Sequence, residues 1–346
     1  MCNIAGYIGT KDAAPVLLDM MKREEGFAGG YYTGLATLDG GKIHYAKLTG
    51  DTDKLIKDTD AKNLPGKMGI IHSRSKSGGG DEWAHPFVGI KNGKTELAYI
   101  ANGNNGFFET NMATNVALSE QLLSEGFEML SLLPENVNKD YPTLSDGSAV
   151  HMSDTMCQLI YKNVLSGDKL DKAMEKAYCA MPGEIVGLAI SLAQPDAIGW
   201  TRINMPVFIA FAPHGAYLAS TPHAFPEDAG EPQLLPAFAS GLVYADSFTT
   251  VTYPEKPAKV AEITARVMAE AYNEIVKATS QEPQSMLPLL DLVTPIFDKA
   301  DILQTYPLVY SVLYSLKNEG RLEIQTDMLP GAFENLTAPK FKMRLR

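Results

Sequence analysis

Cysteine stands at position 2, directly after the initiator methionine. Removal of that methionine, common before a small residue, leaves one residue with both a thiol and a free α-amine. The amine has an ordinary pKa of about 7.7–8.0, so it takes and returns a proton near neutrality. A nucleophile that carries its own base is the N-terminal-nucleophile arrangement, known for threonine and equally open to cysteine. A small residue at position 2 is also what chance supplies, so the remaining residues must decide.

Each other residue with chemistry to offer has an ordinary reading beside it. Arg74 serves equally as a surface charge beside a loop. Asn102-Gly103 makes turns in most sequences. Asp154, after Ser153, suits the first turn of a helix. The run Ser77-Gly78-Gly79-Gly80 reads as a flexible loop, and it lacks the lysine ending and following helix of a phosphate loop. The six histidines show no metal-ligand spacing, so neither a metal site nor a cofactor is expected. His72 lies on a strand close to Arg74 and reads as structural. His151, just before the Asp154 helix, could face the same pocket. Three cysteines form neither a disulfide framework nor a CxxC pair. Cys157 and Cys179 fall on apolar helical faces and read as inert core thiols.

The elements that must position these residues follow from apolar spacing. Ile4–Ile8, Tyr31–Leu38, Lys42–Leu48, Lys67–His72, Phe87–Ile90 and Glu96–Ile100 read as strands, with hairpin signals at Asp39-Gly40-Gly41 and Asn92-Gly93. Ala13–Arg23 has helical spacing and is broken at Gly29-Gly30. Phe107–Ser124, Ser153–Leu165 and Asp168–Ala180 read as helices, the last stopped by Pro182-Gly183. Glu184–Leu192, Ala197–Arg202, Val207–Ala212, Gly215–Ser220 and Leu242–Tyr253 return to strand. Strands, then helices, then strands suggest an α+β fold with two antiparallel sheets rather than a doubly wound one.

Near Tyr253-Pro254-Glu255-Lys256-Pro257 the pattern turns helical, dividing the chain into 1–253 and 254–346. Pro257 suits a first helical turn, and Val260, Ile263, Val267, Ala271 and Ile275 line one face. Leu287–Phe297 and Tyr306–Asn318 are two more helices, and Arg321–Thr326 alternates like a strand. Helix, helix, glycine, strand is a winged-helix-like order. The final PKFKMRLR reads as a frayed, solvated tail.

Thirty basic against 41 acidic residues give a net charge of −11. That balance disfavours wholesale nucleic-acid binding. No apolar run approaches the roughly 18 residues of a membrane helix, and the start has no signal-peptide pattern. A soluble cytoplasmic protein is the expectation.

Taken together, the motifs resemble a family. Cys2-Asn3-Ile4-Ala5-Gly6-Tyr7-Ile8-Gly9 resembles the start of class II glutamine amidotransferases. Gly69-Ile70-Ile71-His72-Ser73-Arg74 resembles their strand ending in arginine, and Trp83-Ala84-His85-Pro86-Phe87 a proline motif that follows. Ala101-Asn102-Gly103 resembles their asparagine-glycine pair. Ser153-Asp154-Thr155 opens a helix where the family has its aspartate. Order and spacing fit over about residues 2–250, nearest to the glutaminase domains of glucosamine-6-phosphate synthase and amidophosphoribosyltransferase.

The resemblance implies a four-layer αββα sandwich, the N-terminal nucleophile hydrolase fold, followed by the helical, winged-helix-like unit. It implies that Cys2 attacks the side-chain amide of glutamine, with its α-amine as base. Asn102 and the Gly103 N–H would form the oxyanion hole. Arg74 would clamp the α-carboxylate, Asp154 would hold the α-ammonium, and Ser77 would keep a hydroxyl for the substrate. The glycine loop resembles the family's lid. Ammonia would pass to a separate synthase docked through residues 254–346, or the same unit would mediate homo-oligomer contacts. Several positions depart from the family. Asn3 replaces glycine. Ala28-Gly29-Gly30 replaces an arginine-glycine pair. Ser75, Lys76, Ser77 and Gly78 replace tryptophan, alanine, threonine and histidine, and Ala101 replaces histidine. Those departures keep two alternatives open: hydrolysis of another small amide, and a non-catalytic binding or regulatory protein.

Overall fold

The computed structural model describes residues 2–104, 111–254 and 258–346. In chain order, β1 (Asn3–Gly9) leads into α1 (Ala13–Ala28). Then come β2 (Tyr32–Asp39), β3 (Lys42–Thr49), α2 (Thr52–Asp58), β4 (Met68–Arg74), β5 (Phe87–Lys91) and β6 (Lys94–Asn104). Helix α3 (Asn111–Ser124), β7 (Phe127–Glu128), α4 (Met152–Leu165) and α5 (Leu170–Ala180) follow. Strands β8 (Glu184–Ser191), β9 (Gln194–Arg202), β10 (Phe208–Ala212), β11 (Gly215–Ala219), β12 (Gln233–Leu234), β13 (Ala239–Val243) and β14 (Val251–Thr252) complete the first part. The rest is α6 (Ala265–Gln281), α7 (Met286–Val293), α8 (Thr305–Asn318), β15 (Leu322–Pro330) and β16 (Thr337–Leu345).

Two seven-stranded sheets result, ordered β12-β10-β11-β1-β4-β2-β3 and β14-β13-β9-β8-β6-β5-β7. Their pairings are antiparallel. Alternation along each strand decides which layer a residue joins. On β1, Ile4 and Ile8 point between the sheets while Ala5 and Tyr7 point toward α1. On β6, Ala98 and Ile100 point between the sheets while Leu97 and Tyr99 point toward α4 and α5. Central strands are thus buried on both faces, and helices cover the outer face of each sheet. The layers run helix, sheet, sheet, helix.

Most expected elements lie within a residue or two of their predicted bounds. The helix read from Phe107 begins among the described residues at Asn111, and Phe107 to Thr110 lie outside them. The short helix α2 was not anticipated. The helix expected around Val260 instead starts at Ala265, where the Thr264 hydroxyl accepts from the Val267 N–H. Val260 forms a β-bridge with Ile302, and Pro257 lies outside the described residues. Cys157 is buried as expected, but Cys179 is exposed. It falls one position beyond the Ala173, Met174, Ala177, Tyr178 stripe that α5 buries.

The basic C-terminal segment is a strand, not a frayed tail. Strands β15 and β16 pair along their whole length, from Leu322–Leu345 to Pro330–Thr337. The sequence alternates: Phe341 and Met343 turn inward, while Lys342 and Arg344 turn toward solvent. Helices α6 to α8 and this hairpin share one apolar cluster with α1 and the outer face of the first sheet. The Phe341 ring meets Phe27 edge-on, with centroids 5.0 Å apart.

That contact depends on Gly26. A Cβ built there lies 2.3 Å from the Phe341 ring. Gly26→Ala gains up to about 1 kcal/mol of helix propensity. The overpacking it forces typically costs about 1–3 kcal/mol. We expect a net loss of stability in urea unfolding, together with a hairpin that proteases cut more readily.

Candidate active site

Cys2 immediately precedes β1, beside the C-terminal end of β4. The register pairs Asn3 with Ser73 and Ile4 with His72, so Cys2 sits among His72, Arg74 and Ser75. The second sheet reaches the same point through β6. The Cys2 nitrogen donates to Asn102 Oδ1 at 2.9 Å. His72 Nε2 bonds the Ala101 carbonyl at 3.0 Å, a second crossing between the sheets. Asn102 Nδ2 is left buried and without a hydrogen-bond partner. Gly103 has φ +116, and a Cβ there would lie 1.9 Å from the Glu184 carbonyl, so only glycine fits.

The partly buried Cys2 thiol is brought down to about 6. Burial alone pushes it up; the neighbouring His72 imidazole leads the interactions that pull it down, and the N-terminal charge and the Ser75 backbone add to it. The His72 ring stacks on His85, with centroids 3.9 Å apart. Ser75 Oγ stands 3.9 Å from the sulfur.

A cavity of about 320 Å³ opens above Cys2, within the size range of small-ligand sites. Arg74, Ser77, Gly103 and Cys2 all line it. Arg74 is buried, and its terminal nitrogens already donate to the Trp83 and Gly78 carbonyls at 3.0 Å each. Its guanidinium lies 4.6 Å from the centre of the Tyr32 ring. These bonds fold the Ser75–Trp83 loop over the guanidinium. Asn138 Nδ2 holds the same loop by donating to the Ser77 carbonyl at 2.9 Å.

Asp154 is placed differently from the expected ammonium clamp. Its carboxylate is buried and does not line the cavity. One oxygen accepts from the Ser131 N–H at 2.9 Å and the other from Gln158 Nε2 at 2.9 Å. Burial pushes this carboxyl up, and hydrogen bonds from Gln158 and Ser131 oppose the shift. Capping of α4 falls instead to His151, whose Nδ1 accepts from the Ser153 N–H.

Much of the cavity wall escaped sequence reasoning. Asn138, Asp140 and Tyr141 come from the long α3–α4 connection, and Glu184 and Met205 from strand ends and turns. No periodicity marks such residues. Only His151 carried a signal, its place ahead of α4. Tyr306, at the start of α8, sits close enough for the Cys2 charge to add to burial in raising its hydroxyl. The C-terminal unit therefore packs beside the nucleophile. Two departures from the family pattern face that unit. Asn3 is fully buried near Glu24 and Tyr310. Gly30 packs under Pro339, 2.7 Å from where its Cβ would stand.

Among the described residues, no helix is long and apolar enough to cross a membrane, and no His/Cys/Asp/Glu group could hold a metal ion.

No protein-family model matches the chain. Over 286 residues it is 30% identical to the glutamine–fructose-6-phosphate aminotransferase [isomerizing] of Leifsonia xyli subsp. xyli, covering 82% of this chain and 40% of that protein. The enzyme of the same name from Chlorobaculum tepidum is 28% identical over 269 residues, covering 76% and 39%. The chain thus spans about two-fifths of the length of these relatives. Among solved structures, glutamine phosphoribosylpyrophosphate amidotransferase from B. subtilis aligns over 82% of this chain and 60% of its own, with a TM-score of 0.57. At 15% identity that likeness is one of fold. The sequence relatives and the paired antiparallel sheets agree: this chain carries a class II glutamine amidotransferase domain.

Proposed function

We propose that the chain is a glutaminase subunit. It hydrolyses glutamine to glutamate and ammonia through Cys2, and delivers the ammonia to a separate synthase. The observation that carries this reading is the Cys2–Asn102 contact. Asn102 Oδ1 is occupied by the Cys2 nitrogen, which leaves its Nδ2 a buried donor with no hydrogen-bond partner among the described residues; Gly103 lines the cavity and Asn102 lies just behind that wall.

In this mechanism the Cys2 thiolate attacks the carboxamide carbon and forms a C–S bond. The carbonyl oxygen becomes an oxyanion facing Asn102 Nδ2 and the Gly103 N–H. A donor fixed before the reaction stabilises that charge without reorganisation. The C–N bond then breaks, and the Cys2 α-amine, exposed by loss of Met1, returns the proton to the leaving nitrogen as ammonia. Water hydrolyses the thioester to glutamate and restores the thiolate. Arg74 and Ser77, both lining the cavity, bind the substrate. The C-terminal unit, winged-helix-like in its order of three helices and a hairpin, serves as the docking element for the synthase or for a second copy.

Asp154 favours a second reading. Buried and absent from the cavity wall, its carboxylate does not face an α-ammonium bound there. A small amide without that ammonium then becomes the better substrate. A panel of primary amides separates the two, since glutamine as clearly the best substrate rules out the second.

Intact mass spectrometry after exposure to a diazoketone analogue of glutamine tests the mechanism directly. The Met1-processed protein gains one adduct, and Cys2→Ala gains none. A Cys2→Ala protein that still released ammonia at the wild-type rate would sink the proposal. Asn102→Ala is expected to lower kcat on the order of 10²–10³-fold, the usual effect of losing one oxyanion donor. The lowered thiol gives a pH prediction. Thiolate is the reactive form, so alkylation by iodoacetamide rises with pH with its midpoint at about 6 and levels off at higher pH. An unperturbed thiol would have its midpoint near pH 8.5. His72→Phe moves the midpoint upward, because the imidazole leads the lowering interactions.

A further inference from the structure

Helix α4 brings its N-terminal end to the cavity, where His151, Met152 and Ser153 form part of the wall. His151 Nδ1 accepts the Ser153 N–H at 3.1 Å. A neutral imidazole that accepts at Nδ1 carries its proton on Nε2. Burial first, then the charges of Arg74, His72 and Lys47, hold this imidazole well below its ordinary range, so it stays neutral. His151 is 5% exposed, and Nε2 has no partner within the protein. Trp83, Phe87, His85 and Tyr141 pack against the ring at 5.6, 4.8, 5.3 and 4.7 Å, and among the described residues none of them hydrogen-bonds Nε2. A buried N–H without an acceptor is costly unless a ligand supplies one.

The charge around this N–H indicates which ligand group fits. The helix N-terminus contributes partial positive charge, and Arg74 lines the same cavity. The nearby Asp154 carboxylate is turned away onto Ser131 and Gln158. Of the two carboxylates that line the cavity, Asp140 is exposed and Glu184 accepts from Asn204 Nδ2. An anionic oxygen is the complementary occupant beside α4.

We propose that His151 is a specificity-determining residue whose Nε2–H donates to the carboxylate of an amino-acid substrate, alongside Arg74. The proposal rests on reading the cavity as a glutamine site. It makes substrate recognition here a shared task of one cation and one neutral imidazole.

Two variants separate binding from capping. Asparagine is a strong N-cap but too short to reach the cavity; glutamine caps poorly but carries an N–H of similar reach. His151→Asn is expected to keep its Tm, raise KM for glutamine about tenfold and leave kcat within about threefold. His151→Gln is expected to lose Tm while recovering part of KM. The preference of the wild type for L-glutamine over L-glutaminamide, whose carboxylate is neutralised, is expected to shrink in His151→Asn. A wild-type KM in His151→Asn, or an unchanged preference, overturns the assignment. If the processed wild type releases no ammonia from glutamine, the glutaminase reading fails on its own. Calorimetry with L-glutamate then decides this one: about tenfold weaker binding by His151→Asn supports it, and equal or absent binding overturns it.

Discussion

Two hydrogen bonds join the sheets at the end where Cys2 lies: Cys2 nitrogen to Asn102 Oδ1, and His72 Nε2 to the Ala101 carbonyl. The interface behind them is apolar, built from residues such as Ile4, Ile70, Ile100 and Leu188. Polar groups buried at such a place must find each other, because neither water nor hydrocarbon satisfies them. The pairing fixes how β6 meets β1 and β4. A slip of one residue would turn Asn102 to the opposite face of its sheet. The positions of Cys2, Asn102 and His72 are therefore set by one constraint.

The C-terminal unit follows from a second constraint, the outer face of the first sheet. Helix α1 leaves an apolar surface that three helices and a hairpin cover, and their side chains merge into one cluster. Gly26 and Gly30 lower the surface where Phe341 and Pro339 sit. Residues that depart from the family pattern near the nucleophile thus gain a physical reason. Asn3 meets Glu24 and Tyr310, and the missing arginine beside Gly30 leaves room for the hairpin. The unit that would dock a partner is in contact with the strand that carries the nucleophile.

Neutral imidazoles shape the wall of the cavity. His85 and His151 are buried and pushed well below their ordinary range, chiefly by burial and then by neighbouring positive groups. They line the cavity without bringing net charge next to Arg74. Charge is concentrated on the thiolate and the guanidinium, and the surrounding hydrogen bonds hold those groups in place.

Most strands and helices were legible from apolar residues two apart or three and four apart, while α2, the Val260 bridge, the split of Leu242–Tyr253 into β13 and β14, and β16 were not. The sequence also placed Cys2, Arg74 and the Asn102-Gly103 pair in an order that matched a family. Tertiary structure alone decided which polar groups remained unspent. Asp154 looked available, yet a backbone N–H of Ser131 and the side chain of Gln158 claim both oxygens. His151 looked incidental, yet its Nε2 is one of the buried polar atoms without a hydrogen-bond partner among the described residues. The basic tail looked solvated, yet Phe341 and Met343 alternate into a core that α1 had left open. Local periodicity records which face a side chain takes; it does not record who else arrives at that face, and hydrogen-bond partners from distant segments are settled only when the chain has folded.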